Sequence, residues 1–436
     1  MMSMTCTTVF MYNQKLFVTF SFRDALFTRA LVVVTEVGSP IPLPRINPGA
    51  PTMAQSARGM RKARFGAIGL AAAGLVAGGS LLFPQKTTTP LSPVSTPTLF
   101  RSILISEFTR PALLKPSLWF LDLSRSSGTV FLLRPFVRFT FYEQFCGGAS
   151  ASAVRGTIQE LRRNGMGCAL GYAVEEGPGA FVGVLESIRL SSPGDFVSVK
   201  LTGFENGVEA LQTGKNIDLL RSQCDEVCRM GAERNVRILI DAERSELQAR
   251  INAICMELAQ KYNTATRALV YNTYQMYLQS SPMMLKKHMD LAEQQNFRLG
   301  VKLVRGAYIK TEQRRLIWPT IEQTHDAYES AVECVAEAPV DVVVATHNRQ
   351  SIEKAKALDK TGKFTFAQLR GISEDIGYAL VKEKHKVIKY VPWGTVDECL
   401  FYLERRAVES STSSQQASEM RSALWAELGR RVRIVN

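Results

Sequence analysis

The sequence predicts an α/β protein whose main body is a distorted (β/α)8 TIM-type barrel, and three observations carry that expectation. Eight short β-like runs lie at 167–172, 196–202, 236–241, 267–272, 300–304, 340–346, 364–369 and 387–391. Their starts are separated by 23 to 40 residues, the spacing expected when each strand is followed by a helix. No G-x-G-x-x-G follows the first run, so a doubly wound open sheet lacks its usual support. At 436 residues and 46% hydrophobic composition, the chain suits either about three domains or one large barrel. In such a barrel functional groups gather at the C-terminal ends of the strands.

Taken in order, residues 1–98 read as a leader region. The first 52 are apolar and irregular, and Met53 opens a more coherent segment carrying Arg58, Arg61, Lys62 and Arg64 without an acid. An apolar run over 65–83 follows, just long enough to cross a bilayer, and together these have the composition of an organellar transit peptide with a membrane segment. A secretory signal is the rival. A Pro/Thr/Ser-rich linker occupies 84–97. Residues 99–150 form an N-terminal helical region with basic and aromatic residues interleaved, suited to packing on the barrel or lying on a membrane surface. The barrel is expected over 151–410, and 411–436 is a tail that begins Ser/Gln-rich.

The net charge of +13 resembles a nucleic-acid signature until it is mapped. Residues 1–143 hold fifteen Lys/Arg against five Asp/Glu, a surplus of ten, which leaves +3 for the rest. The basicity belongs to the N-terminal region, and no nucleic-acid motif accompanies it. Eight cysteines without a CxxC and four ungrouped histidines read as buried thiols and no metal site.

The chemistry concentrates at the predicted strand ends. Alternation in 196–202 puts Ser198, Lys200 and Thr202 on one face, so Lys200 should enter the barrel, where an ammonium must meet an anion, a cofactor or a substrate. Asp241 ends the third run, Lys302 lies in the fifth, and Arg305, Gly306, Ala307 and Tyr308 form a loop with room for a phosphate. Thr346, His347 and Asn348 close the sixth. Each has a structural reading, such as a Lys200–Asp241 ion pair, but their shared position at strand ends argues for a site. After the last run, Thr395 and Glu398 have the form of a capping box. The helix they open carries one apolar stripe (Val396, Cys399, Leu400, Leu403, Ala407) and a second stripe of Tyr402, Arg405, Arg406 and Glu409. Adjacent guanidinium groups suit a bidentate grip on a carboxylate.

The segments DAE (241–243), YNTYQ (271–275), KLVRGAY (302–308), ATHN (345–348), QLRGI (368–372) and YVPWGTVDECLFYLERR (390–406) together resemble the proline dehydrogenase (proline oxidase) family in its fungal mitochondrial form. The resemblance runs over about 99–409. It implies an FAD-dependent oxidation of L-proline to Δ1-pyrroline-5-carboxylate, hydride passing to flavin N5 and electrons to a membrane quinone at the mitochondrial inner membrane or its matrix face. By the same resemblance Lys200, Arg405 and Arg406 hold the substrate carboxylate, and Tyr390 and Tyr402 wall the ring. Asp241, Lys302 and Tyr390 belong to the catalytic centre. Ala242, Asn272, Gln275, Arg305, Gly306, Ala307, Thr346, His347 and Asn348 contact FAD. Departures are few: Ile372 stands where methionine is usual and Ser410 where asparagine commonly follows. Hydroxyproline oxidation, a Schiff-base aldolase using Lys200, and a decayed non-catalytic barrel are the alternatives.

Overall fold

The computed structural model describes residues 8–12, 16–21, 31–36, 89–123, 130–174, 179–412 and 414–435. The segments Thr8–Tyr12, Leu16–Ser21 and Leu31–Glu36 pair as a three-stranded antiparallel sheet. The apolar run at 65–83 lies outside the described residues, among which no helix is long and apolar enough to cross a membrane.

Eight parallel strands close into a barrel. They are β1 (Gly167–Tyr172), β2 (Phe196–Val199), β3 (Arg237–Ile240), β4 (Val270–Gln275), β5 (Gly300–Val304), β6 (Asp341–Ala345), β7 (Phe364–Leu369) and β8 (Lys386–Trp393). Each pairs with the next in sequence, and β8 pairs with β1 from Ile388–Gly167 to Trp393–Tyr172. Strand period sorts the side chains into two layers. Leu170, Val197, Ile238, Val270, Val301, Val342, Phe366 and Val391 join the large core between strands and helices. Their neighbours Ala169, Phe196, Leu239, Tyr271, Val343 and Ile388 fill the interior. The barrel is therefore packed at one end, which leaves the other for chemistry.

The expected fourth strand is displaced. Strand β4 begins at Val270, three residues later than the sequence suggests, and runs on through Gln275. All six of its residues are buried, so hydrophobic period could not mark its start.

The N-terminal helices close one side of the barrel's last helix, Val396–Thr412. Pro111–Leu123 packs against it, and Leu121, Val137, Phe141 and Phe145 share a core with Cys399, Leu400, Leu403 and Ala407. The Tyr142 hydroxyl donates to Gly394 O at 2.6 Å. The C-terminal tail is itself a helix, Ser414–Val435, whose Leu424 packs with Leu91, Val94, Leu99 and Ile103.

Candidate active site

The lumen-facing side chains at the mouth are set by alternation along β2. Its outward residues Val197 and Val199, with Leu201 after it, are buried in the outer core, so Ser198, Lys200 and Thr202 face the other way. Ser198 Oγ donates to Asp241 Oδ2 at 2.7 Å, and Lys302 Nζ reaches Asp241 Oδ1 at 2.6 Å. The aspartate at the end of β3 thus pairs with the lysine of β5, two strands away. Both partners are largely shielded, at 17% and 15% side-chain exposure, which makes the pair dependent on its own geometry.

A small cavity opens over this pair. Its lining includes Ser198, Lys200, Asp241, Tyr390, Tyr402 and Gly171. Tyr390 and Tyr402 wall it with ring centroids 6.2 Å apart. Gly171 makes room for them: a Cβ there would lie 2.4 Å from the Tyr390 hydroxyl. Tyr402 is buried, its hydroxyl has no hydrogen-bond partner among the described residues, and burial pushes its pKa up.

The expected arginine pair is divided. Arg406 is 8% exposed, lies 4.8 Å from the Tyr402 ring centroid and pairs with Glu409 Oε1 at 2.6 Å. Arg405 is exposed, and neither arginine lines the cavity beside Lys200. The helix that presents them begins as expected: Glu398 Oε2 accepts from Thr395 N–H at 2.6 Å, and Thr395 Oγ1 accepts from Glu398 N–H at 3.4 Å. The other Glu398 oxygen accepts from Tyr172 at 2.9 Å.

A second group of residues surrounds Arg305. Its guanidinium donates to His325 Nδ1 at 2.9 Å, Thr346 Oγ1 at 3.0 Å and Ser351 Oγ at 2.8 Å, and stacks 4.4 Å from the Tyr328 ring centroid. All four partners are uncharged in their ordinary states, and among the described residues no carboxylate forms an ion pair with it. Burial pulls its pKa down. A shielded cation held by neutral partners is prepared for an anion. Asn348 caps the adjacent helix, accepting from Ser351 N–H at 3.0 Å. Gly306 adopts φ +140, and a Cβ there would collide with the Tyr277 ring.

His347 has a determined tautomer. Burial first, then the charges of Lys389 and Arg406, push its pKa down to about 3, so the ring is neutral. Its Nε2 accepts from Leu369 N–H at 3.2 Å, which leaves the proton on Nδ1. That Nδ1 is buried without a partner. His347 also lines a second cavity, of about 140 Å³, with Ile105, Phe145, Ile372, Glu409 and Met420.

Gln275 joins the groups at the mouth: its Nε2 donates to Glu243 O at 2.8 Å and its Oε1 accepts from Ala307 N–H at 3.4 Å. Ala242 lies between Asp241 and Glu243 after β3. Asn272 does not join them. It is 1% exposed and donates to Asn252 Oδ1 at 3.0 Å, on the surrounding helix Ser245–Tyr262. Its neighbours in alternation, Val270 and Tyr274, belong to the outer core, so strand parity turns Asn272 away from the lumen.

Sequence reasoning missed Lys389. It lies in β8, is 0% exposed, and its ammonium meets Gln368 Oε1 and Glu374 Oε2, each at 3.0 Å. Glu374 in turn accepts from Gly371 N–H at 2.6 Å, fixing the loop after β7. A lysine in a strand otherwise reads as a solvent-facing residue. The signal that could have found it is Gly377, where a Cβ would stand 2.8 Å from Lys389 Nζ.

Residues 155–419 match the family described as Proline dehydrogenase. The chain belongs to the proline dehydrogenase family. It is 30% identical over 370 residues to "Proline dehydrogenase 1, mitochondrial" of Dictyostelium discoideum, covering 67% of this chain and 64% of that one. It is 28% identical over 434 residues to "Probable proline dehydrogenase, mitochondrial" of Schizosaccharomyces pombe, covering 77% and 88%. The chain thus spans just under two thirds of the Dictyostelium relative, and 38% of the human one. In structure it is similar to proline utilization A of Bdellovibrio bacteriovorus, with a TM-score of 0.62 at 18% identity over 71% of this chain and 38% of that one. That likeness extends the agreement to the fold of the barrel.

Proposed function

We propose that this chain oxidises L-proline to Δ1-pyrroline-5-carboxylate with FAD as its cofactor and a membrane quinone as the final acceptor, in mitochondria. The observation that supports this most is the convergence of Lys200, Asp241, Tyr390 and Tyr402 on one cavity at the barrel mouth, with Lys302 paired to Asp241, in a member of the proline dehydrogenase family. Mitochondrial location rests on the names of the relatives.

The residues present fit a flavin dinucleotide. Arg305 offers its charge to a phosphate, with Gly306, Ala307 and Thr346 beside it, and His347 Nδ1–H offers a buried donor. Bound FAD would supply the hydride acceptor that no side chain can replace. Gln275, Asn348 and Ala242 complete the expected contact set, from which the orientation of Asn272 removes its side chain.

Proline is a zwitterion, so the site needs a cation for its carboxylate and a path for the ring nitrogen's proton. Lys200 supplies the cation within the cavity, and Arg405 and Arg406 add a positive field from the helix Val396–Thr412. Asp241 is poorly suited to take the proton, because both of its oxygens are engaged, one by Lys302 and one by Ser198. Its role is to hold Lys302 in place. Tyr390 and Tyr402 wall the place for the ring, and the substrate choice between proline and hydroxyproline turns on the room beside these two rings.

The visible spectrum before and after anaerobic L-proline tests this reading. Flavin bands that bleach with L-proline, and with neither trans-4-hydroxy-L-proline nor D-proline, are expected. Bleaching by hydroxyproline alone would reassign the substrate, and a protein that stays colourless after added FAD would overturn the cofactor.

A further inference from the structure

Glu243 is a buried acid, 5% exposed, two residues beyond Asp241, and its two oxygens serve different segments. Oε1 accepts from the Thr202 hydroxyl at 2.9 Å. Oε2 accepts from the Tyr308 hydroxyl at 2.7 Å. The Glu243 backbone carbonyl accepts from Gln275 Nε2 at 2.8 Å, and its N–H donates to Gln248 Oε1 at 3.0 Å. One residue therefore ties the turn after β2, which carries Lys200, to the end of β4 and to the loop after β5, which carries Arg305, Gly306 and Ala307.

A carboxylate is demanding in this place. Burial pushes its pKa up, against the hydrogen bonds and the charge of Lys200 that favour ionisation, and a neutral amide would cost less to bury. What only the ionised acid provides is acceptance on both oxygens. It obliges both hydroxyls to donate, and so fixes the orientation of Thr202 and Tyr308 together.

We propose that Glu243 is a positioning residue that couples the Lys200 turn to the 305–308 loop, so that the substrate half and the cofactor half of the site assemble as one unit. The labels substrate and cofactor rest on the function proposed above. The coupling itself is a property of these residues and has its own readout.

The test uses the full chain with FAD and the variants Thr202→Val, Tyr308→Phe, Glu243→Gln and Glu243→Ala. Two quantities are measured: the Kd of FAD by fluorescence titration of apo-protein, which needs no turnover, and KM against kcat for L-proline. Coupling expects crossed effects. Thr202→Val weakens FAD about threefold to tenfold although it lies on the Lys200 side, and Tyr308→Phe raises KM for L-proline by a similar factor with a smaller change in kcat. Both crossed effects shrink towards one in a Glu243→Ala background. If that background does not fold, Glu243→Gln, which keeps one acceptor oxygen and turns the other position into a donor, should reduce at least one of the crossed effects, and both left at wild-type size overturn the proposal. Effects confined to each residue's own side, or crossed effects undiminished without the carboxylate, overturn the proposal. A wild-type flavin that L-proline fails to bleach counts instead against the substrate reading, and the FAD titration still decides the coupling.

Discussion

Asp241 and Lys302 show how much of the site rests on single atoms. The pair is shielded and short, so removing one partner strands the other. Lys302→Met should lower stability by roughly 2–3 kcal/mol, and adding Asp241→Asn should recover part of that loss, as read by chemical denaturation. Strictly additive losses would show that the two do not act as a pair. At Gly171 the argument is steric. Gly171→Ala should push the Tyr390 hydroxyl out of position and raise KM for L-proline, with flavin content unchanged; an unaltered KM would mean that Tyr390 does not define the slot. At this scale the sequence was partly legible. Alternation identified the lumen face of Lys200, because its outward neighbours are aliphatic and the run is short. It could not choose a partner for Asp241, since that choice depends on which strands lie within reach across the barrel. Asn272 was misplaced for a related reason: with every residue of β4 buried, neither face is marked by polarity.

At the scale of elements, the helix Val396–Thr412 was readable in full. Its capping box, its apolar stripe and its second face all come from local period and side-chain chemistry, and Val396, Cys399, Leu400, Leu403 and Ala407 meet the N-terminal helices as one surface. What local pattern does not contain is the fate of adjacent arginines, which one turn of packing separates into a buried Arg406 and an exposed Arg405. Thr395→Ala removes the side chain that accepts from Glu398 N–H and should cost about 1 kcal/mol, measured by denaturant midpoint at unchanged m-value. A shift indistinguishable from zero would mean that the N-terminal contacts, led by Tyr142 on Gly394 O, hold the helix start without its cap.

For the whole molecule, eight strands at regular spacing were sufficient to anticipate a closed barrel, because short βα units leave few other topologies. The meeting of the chain's two flanking segments was not legible, since it joins residues more than 300 positions apart. Glu427 is buried in that junction and accepts from Thr89 at 2.5 Å and from Arg430 and Arg431 at 2.7 Å each. Burial alone would raise its pKa, but those hydrogen bonds outweigh it and hold the group at about 2. A carboxyl depressed from its ordinary 4.5 contributes stability that is present above that value and is lost as pH falls towards 2. Wild-type Tm should therefore drop more steeply than that of Glu427→Gln between those limits, and parallel curves would remove Glu427 from the acid response.

Arg431 also donates to the carbonyls of Leu91, Ser92 and Val94, so the stretch just before the helix Thr96–Phe108 is held by the helix Ser414–Val435. A chain cut before Thr89 would keep every partner of this clasp, whereas a cut just before Thr96 would remove Thr89 and all three carbonyls and leave the Ser414–Val435 helix held on that side by the packing of Leu424 on Leu99 and Ile103.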